Sequence, residues 1–269
     1  MFSIEFLHVI RHYELRSILP HLPPACRILE IGGGTGFQAK LLAEQGYEVS
    51  SIDLPTTNYR DDQVYPVIEY NGQQFPFPDN SFDVVFSSNL LEHVQDLAQL
   101  HRESARVLRK GGHGVHIMPT SAWRLWTIAA HYIEMGQRIV LEFGRCAPFQ
   151  SNPQTVQSAL HNIGGVVRHY AVVPRHGETG NALTELISFS AARWSRHFHA
   201  HHLSVIERRS MRLFYTGHSV LGNRLALPAR RVLSRFAGSA CTIWVVKFPK
   251  NCAGDLDPHS QEGGERIYV

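Results

Sequence analysis

The sequence predicts an α/β protein: a doubly wound, mostly parallel sheet with an antiparallel last strand, plus a mainly helical lid insertion. Three observations lead there. Short apolar runs alternate with helical stretches from Arg27 onward; a glycine-rich turn, Gly32 to Gly36, joins the first strand to the first helix of that alternation; and two late apolar runs follow a stretch where the rhythm breaks. Strands and helices alternating at this spacing imply parallel strands covered by helices on both faces.

The elements follow in order. Phe2 to Leu19 carries apolar residues at near-helical spacing, and Pro20, Pro23 and Pro24 end that leading helix. Ile28 to Ile31 reads as a strand, Phe37 to Gln45 as a helix stopped near Gly46, and Glu48 to Ile52 as the next strand. Val84 to Ser87 is a strand introduced by Pro78 to Ser81; Leu97 to Leu108 is a helix halted at Gly111-Gly112; His113 to Met118 is a further strand. Beyond Pro119, Ser121 to Val140 reads as a helix, and Asn152-Pro153 opens another that ends at Gly164-Gly165. A strand near Val166 to Val173, a helix from Asn181 to His199, and strands at Ser204 to Tyr215 and Cys241 to Phe248 complete the expectation. The chain is therefore expected as one domain over residues 1–249, with 120–180 inserted as a lid and acceptor region and 250–269 as a flexible tail.

Composition narrows the class. The chain has 269 residues, 43% of them hydrophobic, enough for a substantial core. The longest apolar run, Ile243 to Val246, has the length of a strand, and the N-terminus lacks the basic start and cleavage site of a leader. Cys26, Cys146, Cys241 and Cys252 are scattered without a C-x-x-C pair, so reduced thiols and a cytoplasmic location are expected, with the inner face of the membrane as an option. Between Leu186 and Gly254, Glu207 is the only acid against nine arginines and two lysines. Such a stretch is either a solvated face or a surface for an anionic substrate or a membrane.

The residues richest in chemistry are Ile28-Leu29-Glu30-Ile31-Gly32-Gly33-Gly34-Thr35-Gly36. A strand that runs into a glycine loop and then a helix lets bare backbone approach a ligand at the C-terminal edge of the sheet. A phosphate loop needs Gly-Lys-Ser/Thr, whereas Phe37-Gln38 follows Gly36; the dinucleotide fingerprint wants a glycine where Phe37 stands. Asp53, at the end of the next strand, can accept hydrogen bonds from ribose hydroxyls.

Four motifs in order resemble the type 11 group of class I S-adenosylmethionine-dependent methyltransferases: Gly32 to Gly36, Phe75-Pro76-Phe77-Pro78-Asp79-Asn80-Ser81-Phe82-Asp83-Val84-Val85, Leu91-Glu92-His93-Val94, and Arg106-Val107-Leu108-Arg109-Lys110-Gly111-Gly112. The resemblance covers about Leu22 to Pro119 firmly. It implies a Rossmann-like fold and S-adenosyl-L-methionine as cofactor. Glu30 and the backbone of Gly32 and Gly34 would face the methionine part, Gly36 is a further cofactor-binding position, Asp53 would bind the ribose, and Asn71 and Gly72 fall where the family reads adenine. The family has an acid there, and Asn71 would accept from the adenine amino group through its amide oxygen. Ser88 and Asn89 would line the methionine side near the transferred methyl.

Methyl transfer to a hydroxyl calls for a base, and His93 and His176 are the catalytic candidates: the first follows the strand that ends at the methyl, the second lies between Arg175 and Gly177 at the end of the insertion. His197, His199, His201 and His202 lack a nearby carboxylate or thiol, and no metal is expected. Trp123, Trp126 and Tyr132 suit a lid core, an acceptor contact or a helix resting on a bilayer. The expected function is methyl transfer to a small-molecule or glycoconjugate acceptor, anionic or lipid-linked, at a hydroxyl. Methylation of carbon or nitrogen on a quinone or lipid ring, and a non-catalytic S-adenosylmethionine or S-adenosylhomocysteine binder, are the alternatives. Nucleic acid is not expected as acceptor, because no Asn-Pro-Pro-Tyr or Asp-Pro-Pro-Tyr run follows Ser87, and the oligomeric state stays open.

Overall fold

The computed structural model describes residues 4–55, 60–145, 153–216 and 225–249. The expected tail 250–269, together with Cys146 and Cys252, lies outside them. Cys26 and Cys241 are buried, and the Cys241 Sγ lies 2.8 Å from the Tyr215 hydroxyl. No helix among the described residues is long and apolar enough to cross a membrane.

Two compact units share the chain: one holds residues 1–17, 117–194 and 209–243, the other 18–116, 195–208 and 244–269. The second unit carries the sheet. Its strands are β1 (Arg27–Ile31), β2 (Glu48–Asp53), β3 (Val67–Glu69), β4 (Phe82–Ser88), β5 (Leu108–Pro119), β6 (Ser204–Ser210) and β7 (Cys241–Lys247), in the spatial order β3-β2-β1-β4-β5-β7-β6. The last three run on into the first unit. The sheet is Rossmann-like, mostly parallel with antiparallel last strands, as the sequence predicts. β1 pairs in parallel with both β2 (Ile31 opposite Ile52) and β4 (Ile31 opposite Ser87). Flanked on both sides, β1 buries Ile28, Leu29 and Ile31 almost completely, which is why it reads as a continuous apolar run.

Helices α1 (Ile4–Ile18), α2 (Phe37–Ala43) and α3 (Leu97–Val107) fall where expected. Asp96 caps α3 by accepting from the Gln99 N–H at 2.8 Å, and Leu100, His101, Ser104 and Val107 form its buried stripe at helical spacing. His101 meets α7 (Ala191–Ala200), where its Nε2 lies 3.0 Å from Nε2 of His197 and its ring 5.7 Å from that of His201. His197 and His201 thus pack against His101, while His199 and His202 are exposed.

In the first unit, α4 (Ser121–Arg145) and α5 (Pro153–Tyr170) pack together, followed by α6 (Glu185–Ser188) and, later, α8 (Leu227–Ala237). Arg124 of α4 and Glu185 of α6 form a buried ion pair at 2.7 Å, and the second oxygen of Glu185 accepts from the N–H groups of His176 and Gly177. This carboxylate therefore fixes the 176–177 turn to both helices, and removing either charge would leave the other buried without compensation.

Several expected elements differ. The strand expected near Val166 to Val173 is helical as far as Tyr170, where α5 ends after running through Gly164-Gly165 with Ala159 and Tyr170 buried. Gly111 and Gly112, expected to halt α3, lie instead within β5, where Gly112 lets the backbone pass close to the Asp83 carbonyl. Asn181 to His199 is two helices, since the Asn181 side chain accepts from Leu183 and Thr184 N–H groups and keeps that turn outside the helix. β6 ends at Ser210 rather than Tyr215, and β3 and α8 were not anticipated.

His116, in β5, is fully buried with its Nδ1 2.8 Å from Ser87 Oγ, and burial pushes its pKa down to about 4; burial likewise holds His101 well below the usual histidine value. A histidine that resists protonation when folded binds protons first in the unfolded chain. Stability is therefore predicted to fall as pH drops from about 6.5 toward about 4, by roughly 3 kcal/mol from His116 alone. Denaturant titrations across that window measure the slope, and His116→Asn should flatten it.

Candidate functional site

At the end of β1 the backbone turns sharply toward α2, and the neighbouring β2 dictates the shape of that turn. The register that sets Ile31 beside Ile52 brings the Ile52 carbonyl under the turn, where it accepts from the N–H groups of Gly32 at 2.8 Å and Gly33 at 3.1 Å. One residue on, Asp53 takes the Gly34 N–H on one carboxylate oxygen at 2.8 Å and its neighbour Leu54 N–H on the other at 2.7 Å. Ser51, two positions before Asp53 and so on the same face of β2, donates to the buried Glu30 carboxylate at 2.7 Å.

Two glycines here are sterically required. A Cβ on Gly33 would collide with Ser51 Oγ, and one on Gly36, at φ +72°, would meet the Tyr65 Cβ at 2.8 Å and its carbonyl oxygen at 2.9 Å. The Val64 N–H donates to the Thr35 carbonyl at 2.8 Å, so the segment after β2 is tied down over the same turn.

The other sequence-predicted positions sort as follows. Asn71 directs its amide oxygen to the Gln73 and Gln74 N–H groups at 2.9 and 3.0 Å, closing its own turn, which leaves its amide nitrogen rather than its oxygen to meet an adenine. Gly72 follows at φ +78°, its Cα side against Leu54. Ser88 ends β4, and Asn89, at φ 51°, donates to Ser88 Oγ at 3.1 Å. Leu90 lies over Gly32, so the 88–90 loop and the glycine turn are neighbours. His93 closes a short 3-10 turn, Leu91–His93; its side chain is 35% exposed and its Nε2 is 3.9 Å from a Glu92 carboxylate oxygen. His176 belongs to the other unit, where Trp123 meets its ring edge at 4.6 Å and Phe189 at 6.2 Å between centroids.

Thus Glu30, Gly32, Gly34, Gly36, Asp53 and the Ser88–Asn89 loop converge on one sheet edge. Sequence reasoning missed Ser51, Tyr70 and Leu90. The alternation of β2 pointed to Ser51; Tyr70 carried no signal, although its N–H donates to the Asp53 carbonyl at 3.1 Å and its phenol is raised in pKa by burial and then by the Asp53 charge.

An adenosyl cofactor fits these groups. The turn presents bare backbone, and each Asp53 oxygen, holding one N–H, keeps capacity for a hydroxyl donor. The crowding around Gly33 makes a sharp prediction: Gly33→Ala should lower stability by about 1–3 kcal/mol through overpacking, and adding Ser51→Gly should restore part of it. Thermal melts of the two variants decide this.

The methyltransferase domain family matches residues 29–115. A probable S-adenosylmethionine-dependent methyltransferase of Mycobacterium tuberculosis is 36% identical over 113 residues, 38% of this chain and 41% of that protein. A ubiquinone/menaquinone biosynthesis C-methyltransferase of Vibrio parahaemolyticus is 33% identical over 102 residues, 33% of this chain and 39% of that protein. The chain spans less than half the length of these curated relatives. An S-adenosylmethionine-dependent methyltransferase structure from Mesorhizobium loti shares the fold, at TM-score 0.50 and 14% identity over 88% of this chain and 98% of that one. Residues 29–115, which contain the glycine turn and its aspartate, thus match the methyltransferase domain family.

Proposed function

We propose that this protein transfers a methyl group from S-adenosylmethionine to a hydroxyl of a small-molecule or glycoconjugate acceptor, anionic or lipid-linked, in a reducing compartment. The observation that carries the proposal is Asp53, which orients the glycine turn through the Gly34 N–H and retains lone pairs for a sugar.

When bound, S-adenosylmethionine supplies a methyl on positively charged sulfur that a nucleophile displaces in line. The chain's own task is positioning, which contributes on the order of 7–11 kcal/mol in favourable systems. Asp53 accepts from the ribose hydroxyls, Gly32 and Gly34 offer an uncluttered backbone surface to the methionine chain, and Ser88 and Asn89 offer a hydroxyl and an amide beside it. Glu30, held by the Ser51 hydroxyl, places a buried carboxyl group behind the turn. His93 takes the proton from the acceptor hydroxyl, with a Glu92 carboxylate oxygen 3.9 Å from its Nε2. His176 is the second candidate base.

The Vibrio parahaemolyticus relative, named as a C-methyltransferase, favours a second reading in which the acceptor is a ring carbon. An activated carbon needs less help from a base, so the histidines separate the two. With labelled S-adenosylmethionine and fractionated cell extract, the wild-type protein should yield a methylated product identifiable by mass. For O-methylation, His93→Ala lowers kcat by about 10²–10⁴-fold at unchanged KM for the cofactor. Asp53→Ala raises that KM by about 10–100-fold, the loss of charge-assisted hydrogen bonds. Full turnover of both His93→Ala and His176→Ala would favour the carbon acceptor, and a wild-type protein that binds the cofactor yet labels nothing would mark a binding protein instead.

A further inference from the structure

The first unit carries a large exposed apolar surface along α4. α4 is 25 residues long, about 37 Å at 1.5 Å per residue. At 100° per residue, Leu125, Trp126, Tyr132, Ile133, Val140 and Phe143 fall within an arc of about 140°. All six are between 39% and 69% exposed. Every other residue from Leu125 to Gly144 within that arc, namely Ala129, Gly136, Gln137 and Gly144, is uncharged, whereas Glu134, Arg138 and Glu142 lie outside it. A soluble helix ordinarily turns its charged face outward; α4 exposes its apolar one.

α8 adds to this surface. Trp126 donates its indole N–H to the Ala237 carbonyl at 2.8 Å, so the C-terminal end of α8 abuts the α4 stripe. α8 contains no acid, and its outward face sets Arg231 and Arg235 beside Val232 and Phe236, the last 84% exposed. Across the whole unit, fourteen arginines face six glutamates, net +8 in a chain whose total is +3. Two of those glutamates are already paired with arginines on or next to α4: Glu134 with Arg138, and Glu185 with the buried Arg124.

We infer that α4 and α8 form a surface that docks on a lipid bilayer bearing anionic headgroups. The apolar stripe lies in the plane of the interface among the upper acyl segments, with Phe236 inserted and Arg231 and Arg235 at the level of the phosphates. The charge selects this occupant over a second copy of the chain, because two faces from units of +8 repel each other while an anionic leaflet attracts them. The inference does not depend on the methyl transfer proposed above.

Co-sedimentation of the full chain, without cofactor, tests it with vesicles of phosphatidylcholine containing about one-third phosphatidylglycerol, against phosphatidylcholine alone. Binding to the anionic vesicles, weakened by salt, is expected. Arg231→Gln with Arg235→Gln should weaken it by about thirtyfold, about fivefold per charge, and Ile133→Asp with Val140→Asp should weaken it more than tenfold. Both pairs are exposed, and an unchanged far-ultraviolet dichroism spectrum checks their folding. Absent binding, equal binding to both vesicles, or binding indifferent to both double variants overturns the inference. So does a dimer, seen by light scattering and split by Ile133→Asp with Val140→Asp, that ignores vesicles.

Discussion

The hydrogen bonds that β2 extends to the turn after β1 are the constraint on which the functional reading rests. The Ile52 carbonyl and the Asp53 carboxylate together take up three successive glycine N–H groups, from Gly32, Gly33 and Gly34. The turn therefore does not present these donors to a ligand, as an anion-binding loop would; it presents bare backbone and the aspartate that holds it. This suits a cofactor whose methionine end carries its own charges and whose ribose needs an acceptor. Because β1 is clamped in parallel between β2 and β4, the geometry follows from strand register rather than from loop conformation.

Much of this was legible in the sequence because it is local. The glycine spacing, the acid at the end of the second strand and the alternation of strand and helix from Arg27 to Pro119 each lie within a short stretch, and the motifs around Phe75, Leu91 and Arg106 fixed their order. Beyond Pro119 the same reasoning failed where burial departs from propensity. The β-branched run from Val166 to Val173 reads as a strand, yet Val167 and Val172 are exposed and the segment through Tyr170 stays helical. Gly164-Gly165 reads as a stop, yet both glycines stand on an open helix face. Contacts between distant segments were likewise invisible: His101 and His197 are 96 residues apart in sequence but share one buried cluster.

The two units differ in how they use polar groups. In the sheet-bearing unit, buried polar side chains pair with each other, Ser51 with Glu30 and Ser87 with His116. In the other, arginine dominates, one buried Arg–Glu pair organises the 176–177 turn, and apolar side chains face outward along α4. One chain thus combines a site fixed by strand register with a basic, apolar surface of a different chemical character.

The central claim, that Asp53 and the turn it holds receive an adenosyl group, is tested most directly by a crystal structure of the protein with S-adenosylhomocysteine. The account predicts density along the turn from Gly32 to Gly36, with both ribose hydroxyls within hydrogen-bond distance of the Asp53 carboxylate. Density elsewhere on the protein, or a ribose out of reach of Asp53, would contradict it.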